Sequence, residues 1–418
     1  MGKKKIIHVF EHQKLPIGGD FKLRHWQALA KRNEKEKIKF LELQHNGIKL
    51  KQFVGVIQVA DLTIEILPKI DSTMADHTKE EDRWQKVLIE MYRHTRSVKL
   101  STDQRAWLAR EKGDLLTIYI RLFLNDVEKL VREGMIKGYQ CKKLNAQALR
   151  GAIDFPRHIE KNLASPGNIY VESTVYSKDI LCNQLILAAL DIIPTVCSDS
   201  DLLLKHKQLT QAFAGVKRVS VNPNLFSRVM RNRKTVQYQP ALLMAEMLLK
   251  QYRPSNRGGN DHVLSILFDM NTLWQDYIFH RLREASGETV TATKNLSQHF
   301  WRGPENDSPR KIRPDIVLQW ENRTVVIDTK WKLPKNFKPS DADLKQIFVY
   351  NLYWEAIHGI LLYPAQDPQE NVGAYADFKS MPYAIHCGVL TCNILGADHL
   401  LDPNLGHQIL EKLKDMIQ

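Results

Sequence analysis

The sequence predicts a multidomain α+β protein: a β-rich amino-terminal region over residues 1–110, a mostly helical middle region over 111–255, and a carboxy-terminal segment over 256–418 in which helices flank a β-hairpin. Three observations predict it. Short β-branched runs separated by turn residues fill 39–67, apolar stripes at helical spacing recur between 84 and 251, and two apolar runs, 316–320 and 324–330, enclose the polar turn Glu321-Asn322-Arg323. With 418 residues, 43% of them hydrophobic and 26% charged, the chain has a globular balance and apolar content for two or three cores.

In chain order, 39–44 and 48–53 read as strands about an Asn46-Gly47 hairpin turn, followed by strands at 54–59 and 62–67 in a small barrel or meander. A charged stretch, 71–82, separates these from helices at 84–95 and 115–133. The second helix carries Leu115, Ile118, Leu122, Val127, Leu130 and Val131 as a core-facing stripe. Further helices fit 181–193, 202–213 and 240–251. The turn-rich stretch 253–260 marks a domain boundary. Beyond it, Val263, Ile266, Leu267, Met270, Trp274, Tyr277, Ile278 and Leu282 predict a helix over 261–285, and 341–357 is a second helix candidate.

Charge changes at the same boundary. The net charge is +13, yet residues 251–418 hold 18 Lys and Arg against 20 Asp and Glu, so the excess lies amino-terminally. Lys217-Arg218 and the cluster Arg228, Arg231, Arg233, Lys234 can neutralise DNA phosphates or an acidic partner, and a solvated surface explains them equally. The basic start has no apolar signal core, and no stretch reaches the roughly 18 apolar residues that span a bilayer, so the expectation is a cytoplasmic protein that does not contact membranes. Cys141, Cys182, Cys197, Cys387 and Cys392 are widely spread and read as reduced packing residues. His8-Val-Phe-Glu11-His12 matches a metalloprotease string, but zinc binding by that string needs a helix, and residues 6–10 read as a strand. The sequence has no Gly-x-x-x-x-Gly-Lys-Ser/Thr loop to cradle a nucleoside triphosphate.

The hairpin carries the chemistry. Asp315 and Asp328 meet at one end of it, and strand alternation puts Lys330 on the face of Asp328. Two carboxylates, the Thr329 carbonyl and a phosphate oxygen suit Mg²⁺, a hard cation that prefers oxygen ligands and keeps several waters. Lys330 can orient the attacking water or neutralise charge on the phosphorane, which points to phosphodiester hydrolysis. A charged surface hairpin explains the short pattern as well, and the flanking helices favour the site. On the second helix Gln346 and Tyr350 are four apart on one face, placed to support the metal site or contact the scissile strand, although ordinary packing also accounts for Tyr350.

Helix, hairpin and helix with this acid-acid-lysine spacing resemble the PD-(D/E)xK nuclease superfamily, which implies a carboxy-terminal α/β core, a mixed sheet flanked by helices. Asp315, Asp328, Lys330, Gln346 and Tyr350 fall on its motif positions. One departure is Gln275, where many members carry a metal-reaching Glu; Asp276 is the neighbouring alternative, so the number of metals stays open. Gly55-Val-Ile57, Ile64-Glu-Ile-Leu-Pro-Lys-Ile70, Leu149-Arg-Gly151, Ile153-Asp-Phe155, Asn183 and Phe268-Asp-Met-Asn271, in this order along most of the chain, resemble the McrC family.

That resemblance implies the nuclease subunit of the McrBC 5-methylcytosine-specific restriction system, whose partner McrB is a hexameric AAA+ GTPase that recognises methylated DNA. It implies a Mg²⁺-dependent endonuclease that cuts double-stranded DNA and stimulates GTP hydrolysis, with residues 1–255 docking the GTPase. Pro68-Lys69 either presents a cation to that partner or simply ends a strand. Three alternatives share parts of the pattern: a stand-alone repair or recombination nuclease, a transposition end-nuclease subunit, and a non-enzymatic GTPase activator with a degenerate nuclease domain.

Overall fold

The structure, a computed structural model, describes residues 5–35, 39–68, 77–96, 102–110, 114–164, 167–220, 222–229, 233–253, 263–303, 309–332, 337–365, 368–375, 384–396 and 400–417. Lys69, Ile70, Arg231, residues 71–76 of the charged stretch and 254–260 of the turn-rich stretch lie outside them. Two compact units are present, one formed by Met1–Leu115 with Arg253–Gln418 and the other by Leu116–Tyr252.

In the first unit, one sheet includes, as successive neighbours, Lys5–Phe10, Leu62–Leu67, Phe53–Val59 and Val263–Asp269. The first pair is parallel and the next two are antiparallel. This corrects the expected helix over 261–285, which begins only at Met270. The apolar run from Val263 satisfies a helical stripe and a buried strand alike, and seven paired residues of Phe53–Val59 decide for the strand. Asp269 then caps the helix Met270–Ala285 by accepting from the Thr272 amide at 3.0 Å. The same pairing joins the amino-terminal region to the carboxy-terminal segment, so the stretches 1–110 and 256–418 share one sheet and one unit.

The amino-terminal strands lie close to their expected positions, at Leu41–Gln44, Gly47–Leu50, Phe53–Val59 and Leu62–Leu67. Unanticipated is the helix Leu23–Lys35, which contributes Leu29 to a core with Val9, Phe21, Leu41, Ile48, Ile57 and Ile64. Inside this unit Glu65, fully buried, accepts from the Gln85 side-chain amide at 2.5 Å and from the Leu115 backbone amide at 2.7 Å.

The second sheet of this unit has six strands in the order Val290–Lys294, Ile316–Trp320, Arg323–Thr329, His358–Pro364, His386–Cys392, Glu370–Ala374. Neighbours among its first three strands are antiparallel, the next two continue parallel to Arg323–Thr329, and the last is antiparallel again. Two glycines show how it is covered. A Cβ on Gly359 would overlap Ile347 and Asn351 of the helix Asp341–Trp354, and one on Gly388 would overlap Met416 of the helix Leu405–Ile417. Gly359 pairs with Cys387, so Gly388 points the other way and the two helices lie on opposite faces. The sheet is therefore mixed and flanked by helices.

The second unit is less helical than expected. Besides the helices Leu181–Val196, Ser200–Ala212 and Gln239–Gln251, it contains the ribbon Gly138–Ala146 with Ile169–Ser177, antiparallel over nine residues, and the short strand Ala152–Ile153 on its edge. Gly151, at φ +97°, precedes that short strand where a Cβ would collide with the Glu172 carbonyl, so only glycine fits. Asn183 is buried and donates to the carbonyls of Ile136 (3.0 Å) and Lys178 (2.6 Å). Among the described residues no helix is long and apolar enough to cross a membrane.

Candidate active site

The site grows from the register of one hairpin. Ile316 pairs with Ile327, so the next residues outward, Asp315 and Asp328, stand opposite each other at the end of the ladder. Val325, Val326 and Ile327 are all at most 1% exposed, each contributing roughly 1.5–3 kcal/mol by burial, and they hold the strand that delivers Asp328. Asp315 is fixed by Thr329, whose amide and hydroxyl both donate to its Oδ2, at 2.7 and 2.8 Å.

Val326 packs with Ile347 and Tyr350, and Asp328, two residues on, faces the same helix. Lys330 Nζ lies 2.6 Å from Asp328 Oδ2 and 3.5 Å from Asp343 Oδ1, and donates to Gln346 Oε1 at 2.9 Å. The Gln346 amide nitrogen donates to Tyr350 Oη at 2.8 Å and, more weakly, to Asp328 Oδ1 at 3.4 Å. The amide accepts from the lysine with its oxygen and donates to the carboxylate with its nitrogen, a bridge that a glutamate at this position could not make. Tyr350 Oη in turn donates to the Arg313 carbonyl at 3.1 Å, tying the helix to the segment leading into Asp315.

Electrostatics follow from burial. Asp328, 2% exposed, has its pKa pushed up to about 6, first by burial and then by Asp315 beside it, with Lys330 opposing. Burial also raises Asp315 against its two Thr329 hydrogen bonds. For Lys330, burial favours the neutral amine, but Asp328, Asp343 and Asp315 outweigh it and lift the ammonium above its ordinary range. Burial raises the Tyr350 phenol as well.

The structure thus brings together Asp315, Asp328, Thr329, Lys330, Gln346 and Tyr350. It adds Asp343, absent from the sequence motif. Ser340 caps the helix by accepting from the Asp343 amide at 3.2 Å while its hydroxyl donates to Asp343 Oδ2 at 2.7 Å, and Lys332 Nζ approaches that oxygen at 2.7 Å. The signal was present as an acid three residues after a capping serine, on the face of Gln346 and Tyr350. Gln275 reaches the cluster only through the Asp315 carbonyl, at 3.4 Å, while Asp276 is engaged by Lys294 at 2.9 Å.

Other candidates lie elsewhere. His8 is in the strand Lys5–Phe10, and Glu11 is buried, accepting from Trp331 Nε1 at 2.9 Å. Four cysteines are buried, Cys141 is exposed, and all are free thiols. Arg218 pairs with Asp191 at 2.7 Å. Among the described residues no group of three or more His, Cys, Asp or Glu side chains is arranged to hold a metal.

Fold and cluster define a class: a mixed α/β, multi-sheet protein with an acid-acid-lysine site where antiparallel and parallel strands meet. The chain belongs to a family described as McrBC 5-methylcytosine restriction system component, matched over residues 48–364. Its fold is similar to that of a chain in the refined half-complex from the tetradecameric assembly of Thermococcus gammatolerans McrB AAA+ hexamers with bound McrC, with a TM-score of 0.72 at 18% identity over 99% of this chain and 100% of that one. A chain of the T. gammatolerans McrBC complex aligns with a TM-score of 0.52 at 20% identity over 67% of this chain and 88% of that one. No curated protein sequence matches it.

Proposed function

We propose that this chain is the DNA-cutting subunit of a 5-methylcytosine-directed restriction system, hydrolysing phosphodiester bonds of double-stranded DNA with Mg²⁺ and stimulating GTP hydrolysis by an AAA+ hexamer of the McrB kind. The observation that carries it is Lys330 held between Asp328 and Gln346, with Asp315 opposite, at the end of a mixed, helix-flanked sheet.

The donor set fits a hard divalent cation: two carboxylates at one strand end, one pushed up by burial and by the other, gain most from a nearby dication. Asp315 and Asp328, with the Thr329 carbonyl, would hold it, and a bound Mg²⁺ supplies Lewis-acid polarisation of the phosphate and a more acidic water. Thr329 holds Asp315 in place through its amide and hydroxyl. Lys330, kept cationic by its carboxylates, positions the attacking water and neutralises charge that grows on the phosphoryl oxygens. Gln346 fixes the ammonium, and Tyr350 fixes Gln346.

Family membership supports the restriction role, and the lack of a phosphate-cradling loop in the sequence supports placing GTP hydrolysis on a partner docked by residues 1–255. The test is Asp328→Ala in the complex with its GTPase and a methylated duplex. Cleavage should fall about a thousandfold or more while GTPase stimulation persists. Cutting by the folded variant would sink the site, and cutting by the wild-type chain with Mg²⁺ alone would favour a stand-alone nuclease.

A further inference from the structure

We propose that the ribbon Gln298–Trp301 with Arg310–Ile312 is a DNA-gripping element that seats the duplex against the catalytic strand end; the inference rests on the nuclease reading above. This ribbon belongs to neither large sheet. All four residues of its first strand are exposed, including Phe300 and Trp301 at 49% and 48%. Exposed aromatics beside cations suit a nucleic-acid contact.

The charge points the same way. Residues 251–418 are slightly acidic as a whole, yet Arg302, Arg310, Lys311 and Arg313 gather on and beside this ribbon. Among the described residues Arg302, Arg310 and Lys311 have no carboxylate partner; Glu305 and Asp307 of the sequence fall outside the described residues. The register pairs His299 with Lys311 and Trp301 with Arg310, with a bulge between His299 and Trp301 that leaves Phe300 unpaired. Cations therefore line both faces of the ribbon, and an arginine sits directly across from the exposed tryptophan.

Its position is set by the catalytic helix. Gln298 Nε2 donates to the Tyr353 carbonyl at 2.7 Å, and the Phe300 ring lies 5.9 Å from that of Tyr353. Tyr350, which orients Gln346, also holds the Arg313 carbonyl just after the ribbon ends, and Asp315 follows two residues later. A duplex whose scissile phosphate reached Asp315 and Asp328 would lie beside this ribbon. A two-stranded ribbon fits a DNA groove, and its cations match the flanking phosphates.

The experiment is fluorescence anisotropy of the full chain carrying Asp328→Asn on a methylated and an unmethylated 40-bp duplex, titrated with salt. Adding Arg302→Ala, Arg310→Ala and Lys311→Ala should weaken binding by roughly ten- to a hundredfold and shrink the salt slope by about 2–3, near 0.9 per lost phosphate contact. Arg310→Lys with Lys311→Arg should restore most of both. Trp301→Ala should weaken binding several-fold with the slope intact. Unchanged affinity and slope in the triple variant, or no DNA binding by its parent, would overturn the proposal. Loss of GTPase stimulation with DNA affinity intact would overturn it too, reassigning the ribbon to a protein partner. Cleavage by Asp328→Asn in the complex would instead count against the catalytic site and leave this binding result standing.

Discussion

Two antiparallel strand pairs of this chain fold by the same rules and end in opposite environments. The pair Ile316–Trp320 and Arg323–Thr329 is buried over most of its length, whereas Gly138–Ala146 with Ile169–Ser177 alternates half-buried and exposed positions along nearly all of it. The first is central in a six-stranded sheet with a helix on each face, so its end can hold two carboxylates away from water in fixed positions. The second is stabilised by what solvent permits: the Tyr139 and Tyr176 rings at 4.9 Å, and Lys143 between Asp154 (3.1 Å) and Glu172 (3.3 Å). Burial makes a strand end chemically potent, because it removes the screening that would otherwise flatten the interactions of its charges.

The comparison can be broken at its buried end first. Asp328 is an acid whose pKa is higher in the folded chain, at about 6, than in the unfolded one, at 3.8, so folding favours its neutral form. Its contribution is therefore present below pH about 4 and lost as pH rises through about 6, on the order of 3 kcal/mol in all. In urea unfolding without divalent cations, the wild-type chain should lose stability relative to Asp328→Asn across that window and stay below it at neutral pH. Parallel curves for the two proteins would show that this carboxylate is not desolvated.

A smaller effect is expected one shell out. Gln346→Ala removes the amide that joins Lys330 to Tyr350, and should slow cleavage roughly 10–100-fold, as losses of supporting hydrogen bonds around metal sites do, with little change in melting temperature. A rate equal to wild type would mean that the lysine is positioned by Asp328 and Asp343 alone. Smallest is Lys143→Ala on the exposed ribbon, whose ion pairs face water; its thermal unfolding should be indistinguishable from wild type.

The same contrast governs what could be read from the sequence. The buried hairpin announces itself as unbroken β-branched runs, so its strands, and with them Asp315, Asp328 and Lys330, were legible; the helix 115–133 was found at its observed bounds because its stripe is long and strict. The exposed ribbon was missed because Gly-Tyr-Gln-Cys-Lys-Lys-Leu-Asn-Ala mixes charged and small residues among its apolar ones and offers no run. Val263–Asp269 is ambiguous for a different reason: its strand character comes from Phe53–Val59, a partner no local window contains. The helix Leu23–Lys35 is hidden among strand signals on either side. Asp343 escaped because its role depends on where Lys330 lands, which only the packed helix decides.

The pairing of Phe53–Val59 with Val263–Asp269 also has a bearing on how the chain is made. Those strands are separated by roughly 200 residues of sequence, and closing so long a loop is entropically slow compared with forming local hairpins and helices. During synthesis, the amino-terminal strands wait with an open edge until the intervening unit has been translated, while that unit, whose contacts are largely its own, can fold meanwhile. Nascent chains released before about residue 270 should thus be the aggregation-prone species, because the edge of Phe53–Val59 is still without its last neighbour.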